Sequence, residues 1–241
     1  KSKDNSSATF NDMFNLIYHE DVLAIAFESV RTNKGAKTAG IDKVNFQRIS
    51  DVGRFITNLS KELKDGSYVP LPVKQVMITK KNGGLRPLGI PAVKDRVVQA
   101  AIKLIIEPIF EGVFSKYSFG FRPYRNAHQA MYLIGTQTNT QNSYHYVVEG
   151  DIKSYFTSVN HGIMLKLLRK KIKDEKLILL ISKLMKAGIM KGRLLKHSET
   201  GVPQGGILSP LLANIYLNEF DQVMMDRWVY IDKSKRRINR L

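Results

Sequence analysis

The chain has 241 residues, 43% of them apolar, enough for the core of one large domain or two small ones. Its 38 Lys and Arg against 21 Asp and Glu leave a net charge of +17, which opposes compaction by self-repulsion and suits a polyanionic partner such as nucleic acid. The absence of cysteine excludes disulfides and thiolate metal sites, and the longest apolar runs, Val22–Phe27 and Leu177–Ile181, are far short of the roughly 20 residues of a membrane span.

Basic residues run from Lys1 to Arg240, a pattern of a broad binding face, with an uninvolved basic surface as the other reading. Lys1 to Thr9 is polar and lacks a signal-peptide core, so an intracellular protein is expected. From Asn11 to Arg31, Phe14, Ile17, Leu23, Ala26, Phe27 and Val30 recur at helical spacing. A polar loop, Gly35 to Asp42, follows. Phe46, Ile49, Phe55, Ile56, Leu59 and Leu63 predict more helix, closed by Asp65-Gly66, and Pro70 and Pro72 then break it. Val73 to Ile90 reads as a β-hairpin turning at Asn82-Gly83-Gly84, with basic residues near its tip. Ala92 to Ile106 is a predicted helix, interrupted by Pro108 and Gly112. Tyr144 to Ile152 is a predicted strand leading into Asp151. His161–Lys171 and Glu175–Ala187 read as helices, Ile189–Lys196 as a hairpin turning at Lys191-Gly192, and Leu208–Asp226 as a long amphipathic helix. Helices and strands mix without a βαβα alternation, which predicts the α+β class.

Four groups of residues could carry chemistry or binding. Asp151, at a strand end before Lys153-Ser154-Tyr155-Phe156, is a rigidly held carboxylate of the kind that hard cations such as Mg²⁺ select, although an aspartate there also serves as a helix cap or turn residue. Lys80 and Arg86 flank the hairpin turn and could clamp a triphosphate, or form a solvated hairpin tip. Gly201-Val202-Pro203-Gln204-Gly205-Gly206 precedes a helix, where glycines let backbone approach a ligand or pack the helix tightly. It is not a Walker A loop, because no Lys-Ser or Lys-Thr follows Gly206. Phe119, Phe121 and Tyr124, interleaved with Arg122 and Arg125, could stack on bases, or be buried.

The order of these blocks resembles group II intron reverse transcriptases. Leu85-Arg86-Pro87-Leu88-Gly89-Ile90-Pro91 with Asp95-Arg96 and Gln99 looks like one conserved block. Ser118-Phe119-Gly120-Phe121-Arg122-Pro123 with His128 and Ala130 looks like the next. Asp151 to Phe156 with Val159-Asn160-His161 is similar to motif A, and Gly201 to Pro210 with Asn214 and Asp221 is similar to motif B. The resemblance implies an N-terminal helical extension at 1–34, fingers at 35–143 and an incomplete palm at 144–241. It implies an RNA-directed DNA polymerase that also binds intron RNA and supports splicing and retromobility.

By the same resemblance, Asp151 and the Ile152 carbonyl would hold metal, two Mg²⁺ in the complete enzyme. Lys80, Arg86, Ser154, Tyr155, Phe156 and Gln204 would contact the deoxynucleoside triphosphate, Phe156 as the gate against a ribose 2′-hydroxyl. Phe121, Arg122, Arg125, Pro203, Gly205 and Gly206 would line the path of an RNA template carrying a DNA primer. The family's further carboxylates come from a Tyr-Ala-Asp-Asp hairpin after motif B. The sequence lacks that motif and offers only Asp221, Asp226 and Asp232, so this chain alone is expected not to polymerise. A second reading is a non-catalytic maturase scaffold for intron RNA. The expected setting is a bacterial cytoplasm, without a membrane, and a homodimer is allowed for.

Overall fold

The structure is a computed structural model that describes residues 8–79, 83–139, 146–192, 194–196, 200–201 and 205–229. The N-terminal apolar stretch forms two helices, α1 (Phe14–Ile17) and α2 (Glu20–Arg31), rather than the single one expected. His19 is extended, with ψ 131°, and breaks the run. This segment is stitched to distant chain: Phe10 forms a parallel bridge with Ile172, and the Phe14 amide donates to Asp174 Oδ2 at 2.7 Å. Phe46–Arg48 is a 3₁₀ turn, and α3 (Val52–Asp65) starts only after Asp51, whose carboxylate caps the Arg54 amide at 2.8 Å. Gly66 ends α3 in the left-handed region, φ +81°, where glycine carries no Cβ penalty.

The hairpin comprises β1 (Val73–Thr79) and β2 (Leu85–Ile90), antiparallel with Lys74 opposite Ile90 and Thr79 opposite Leu85. Helix α4 (Val93–Glu111) runs straight through Pro108, longer than the sequence predicts. Proline removes one amide donor, and Leu104, whose carbonyl loses that bond, is on an exposed turn. Helix α5 (Ala127–Thr138) follows a reciprocal capping box between Asn126 and Gln129 and buries none of its residues. The sequence reading missed it because its apolar positions face outward.

The strand expected at 144–152 is not formed. Residues 144–145 lie outside the described residues, and 146–150 are irregular, with Tyr146, Val147 and Val148 all exposed. A strand persists only where a neighbour satisfies its N–H and C=O groups, and no described strand lies beside it. A single turn, α6 (Tyr155–Ser158), leads to α7 (His161–Arg169) and α8 (Glu175–Lys186). The second hairpin, β3 (Ile189–Lys191) and β4 (Leu194–Lys196), joins the first. Val73 pairs in parallel with Ile189, giving one sheet of order β2-β1-β3-β4. Helix α9 (Ser209–Met224) ends in a π turn, Met225–Val229.

One hydrophobic core, from Met13 to Ile215, unites these elements. Its largest fully buried side chains include Phe27, Leu59, Ile102, Met164, Leu168 and Ile178, drawn from α2, α3, α4, α7 and α8. Helix α4 is the spine: Val97, Val98, Ala101, Ile102 and Ile106 are all buried. The architecture is α+β, as expected.

Candidate nucleotide and nucleic-acid site

The four sequence blocks meet around α4. Block 151–161 reaches block 201–210 first. The Gly201 amide donates to the Val159 carbonyl at 2.7 Å, and Asn160 forms an antiparallel bridge with Thr200. Gly201 has φ +93°, and a Cβ there would lie 3.2 Å from the Thr157 backbone. Gly205, φ +106°, packs on β2 so closely that a Cβ would lie 2.2 Å from the Gly89 carbonyl oxygen. Only glycine fits that approach. Gln99 Oε1, in α4, accepts the Ile207 amide at 2.8 Å. The block at 118–123 joins through Asn214, whose Nδ2 donates to the Gly120 carbonyl at 2.8 Å.

Asp151 is exposed on the segment entering α6. Its carboxylate makes no hydrogen bond or ion pair to a described residue, and Ile152 is exposed beside it. Ser154 stands in the left-handed region, φ +56°, which turns the chain sharply into α6. The Tyr155 hydroxyl donates to the Ala213 carbonyl at 2.7 Å, and burial, then Tyr216, pushes its pKa well above the ordinary tyrosine value. That bond ties α6 to α9. Phe156 is half-buried, edge-on to Tyr155 with centroids 5.8 Å apart. Gly206 is buried behind Gly205.

On the hairpin, Arg86 is exposed opposite Ile78. Lys80, Pro203 and Gln204 lie outside the described residues. A cavity of about 190 Å³ lies beneath this junction, lined by Asn33, Thr38, Gly89, Arg96, Gly205 and Ile207, among others. Arg96 Nε donates to the Pro91 carbonyl at 2.9 Å and Nη1 to that of Gly35 at 3.0 Å, so the guanidinium fastens the polar loop to α4.

Arg122 is not open to a template strand. It donates to both Glu111 carboxylate oxygens, to the Ser115 carbonyl at 2.6 Å and to the Ser118 carbonyl at 2.8 Å, and its side chain is 4% exposed. It also packs over the Phe114 ring. The guanidinium is the internal brace of its block. Its neighbours face outward instead: Phe121, with φ +57°, is 70% exposed, and Arg125 sits over Phe119 at 5.4 Å.

Among the described residues no group of three carboxylates or imidazoles could hold a metal ion. Two divalent ions about 4 Å apart need several carboxylates, so Asp151 by itself does not fit that pair. The sequence motifs contained Gln99, His161 and Asn214 without giving them roles. The signal available was their polarity at positions otherwise filled by apolar residues.

The family model for reverse transcriptase (RNA-dependent DNA polymerase) matches residues 78–237. Protein YkfC of Escherichia coli strain K12 is 41% identical over 220 residues, covering 90% of this chain and 58% of that protein. Group II intron-encoded protein LtrA of Lactococcus lactis subsp. cremoris is 38% identical over 234 residues, covering 97% of this chain and 38% of LtrA. The chain therefore spans less than two thirds of either relative. A Cas6-RT-Cas1–Cas2 complex shares the fold, with a TM-score of 0.58 at 22% identity over 89% of this chain and 35% of that one. No helix among the described residues is long and apolar enough to cross a membrane. With the family model covering most of its length, and its four blocks in order and in contact, the chain belongs to the reverse transcriptase family, and within it is similar to group II intron-encoded proteins.

Proposed function

We propose that this chain is the fingers and partial palm of an RNA-directed DNA polymerase that acts on group II intron RNA. The observation that carries this reading is the packing of the block that bears the exposed Asp151, through Phe156, Thr157 and Val159, on Gly201, with Gly205 of the same glycine-rich block against β2. Arg86, together with Lys80, supplies charge for a triphosphate. The Ser154–Tyr155 turn brings backbone amides to the same end, and Phe156 screens the sugar. Gln204, between Gly201 and Gly205 in sequence, contacts the incoming nucleotide. Pro203 and Gly206 complete that floor. Phe121 and Arg125 face outward for stacking and phosphate contact with a template bearing its DNA primer. Divalent ions, Mg²⁺ in this proposal, supply charge neutralisation in the complete enzyme, with Asp151 and the Ile152 carbonyl as this chain's share. The other carboxylates belong to a part of the complete protein not represented among these residues.

The division into extension, fingers and palm at residues 34 and 143 belongs to the same reading. So do a bacterial cytoplasm and a homodimer. A second reading, an intron-RNA scaffold with maturase activity, is favoured by the net charge of +17 and by relatives such as nuclear intron maturase 1 of Arabidopsis thaliana. Both can reside in one protein.

Primer extension with the complete protein tests the first reading. Asp151→Ala is expected to abolish extension of an RNA-templated DNA primer and to leave affinity for folded intron RNA within about twofold, since an exposed carboxylate makes little contribution to binding a polyanion. Extension that survives the substitution refutes the assignment of Asp151. This chain alone is expected to show none. Binding of either RNA should weaken about tenfold or more between 50 and 200 mM salt.

A further inference from the structure

Two buried polar side chains beside the motif blocks touch no proposed substrate, yet each is held in an unusual way. Gln99 lies in α4 between Val98 and Ala100 and is 7% exposed. An amide placed among apolar side chains is tolerated only where it finds partners. Its Oε1 accepts from the Ile207 amide at 2.8 Å and, more weakly, from the Leu208 amide at 3.4 Å. Leu208 stands just before α9 and provides no side-chain cap of its own. Gln99 therefore pins the entry into α9 from a different helix, holding the amides of the N-cap residue Leu208 and of Ile207 before it.

His161 does the corresponding work at the other end. It is 2% exposed, and its Nε2 lies 2.6 Å from the Gly201 carbonyl oxygen. A carbonyl can only accept, so the proton is on Nε2 and Nδ1 is a bare acceptor. Nδ1 is buried without a partner among the described residues. An apolar ring would fill the space without stranding an acceptor, so what the imidazole adds is its bond to Gly201. The Gly201 amide is held in turn by the Val159 carbonyl, directly after α6.

We infer that Gln99 and His161 are positioning residues, Gln99 clamping Ile207 and Leu208 to α4 and His161 clamping Gly201 to the start of α7. The inference deepens the polymerase reading and rests on it for its consequence: Gly201 and Gly205 belong to the backbone surface proposed for the nucleotide, so the clamps set where that surface lies. Neither residue contacts substrate. The clamp on Gly205 from β2 makes the arrangement three-sided, because Gly89 blocks movement toward the hairpin.

The clamp itself is tested on this chain by amide hydrogen exchange. Gln99→Met keeps the volume and removes the acceptor. Exchange at Ile207 and Leu208 should quicken about tenfold, the effect of one lost hydrogen bond, and Gln99→Glu should restore most of the protection. His161→Phe should quicken exchange at Gly201, and His161→Gln, which returns an N–H donor, should reverse it. Unchanged exchange in both loss variants overturns the clamp. The consequence is tested on the complete reverse transcriptase. Gln99→Met and His161→Phe should raise KM for deoxynucleotide about tenfold, with primer–template affinity within about twofold, and the conservative variants should recover it. A lowered melting temperature with an unchanged KM would mark the two residues as structural only and defeat the inference. If the unmodified complete protein extends no primer, the polymerase reading fails and the positioning role falls with it, while the exchange data still judge the clamp.

Discussion

Replacing Asp95 by asparagine should change how stability depends on pH. Asp95 sits in α4 at 2% exposure, accepting the Tyr68 hydroxyl at 2.6 Å and the Leu71 amide at 3.0 Å. Burial pushes its carboxyl up from 3.8 to about 6, against the opposing pull of those two hydrogen bonds and of Lys94, with Asp42 adding slightly to the rise. The folded protein therefore holds this proton more tightly than the unfolded chain does. Stability from this group is fully present below pH 3.8 and is lost as pH rises through about 6. A rise of that size corresponds to about 3 kcal/mol of stability lost by neutral pH. Asp95→Asn removes the titration. Its Oδ1 can keep the Leu71 amide, and the Tyr68 hydroxyl can turn to accept from Nδ2. Urea unfolding of both proteins across pH 4 to 8 isolates the effect, because Asp221, which burial also raises, is common to both. The stability difference should move in favour of the variant by about 2.5 kcal/mol from the acid to the neutral end, because a little of the effect is already lost at pH 4. Parallel curves would refute the reasoning, since they would mean that Asp95 is as well solvated folded as unfolded.

Three further outcomes are expected. Gly205→Ala should cost about 2 kcal/mol or more, because both the added Cβ and the Gly89 carbonyl are fixed to backbone; denaturant midpoints within about 0.5 kcal/mol of the parent would contradict it. Arg122→Ala should destabilise by about 3–5 kcal/mol by stranding Glu111 and two carbonyls, and Arg122→Lys should recover only part, since one ammonium cannot serve all three; equal melting temperatures would exclude the brace. Phe121→Ala should leave stability within about 0.5 kcal/mol and weaken RNA binding several-fold, measured by filter binding, the value of one lost stacking contact.

Both hairpins were legible because their turns carry glycine between alternating residues, at Gly83 and Gly192, and the local signal suffices. What joins them was not. The parallel pairing of Val73 with Ile189 depends on how α4, α7 and α8 pack, and no local pattern specifies it. The expectation of a strand at Tyr146–Val148 followed from β-propensity, which requires a paired neighbour to be realised. Asp151, Gly201 and Gly205 were readable as motif residues, and their contacts to Thr157 and Gly89 give that pattern a steric reason. Arg122 shows the limit of type-based reading: an arginine among aromatics suggests a base-stacking surface, but Glu111 at the end of α4 captures it. Gln99 was legible as a member of its block, but its partner, the Ile207 amide, is far off in sequence and no local pattern points to it.

The shared sheet also dictates an order of assembly during translation. β1 can pair with β2 as soon as the hairpin leaves the ribosome, but its other edge waits for Ile189 and for the Gly188 carbonyl that receives the Val73 amide. At ribosomal speeds that interval is on the order of ten seconds, during which the nascent hairpin presents an open, pairing-competent edge. The buried Val73 and half-buried Ile78 on that strand make premature association between neighbouring ribosomes on one message the characteristic hazard of this chain's birth.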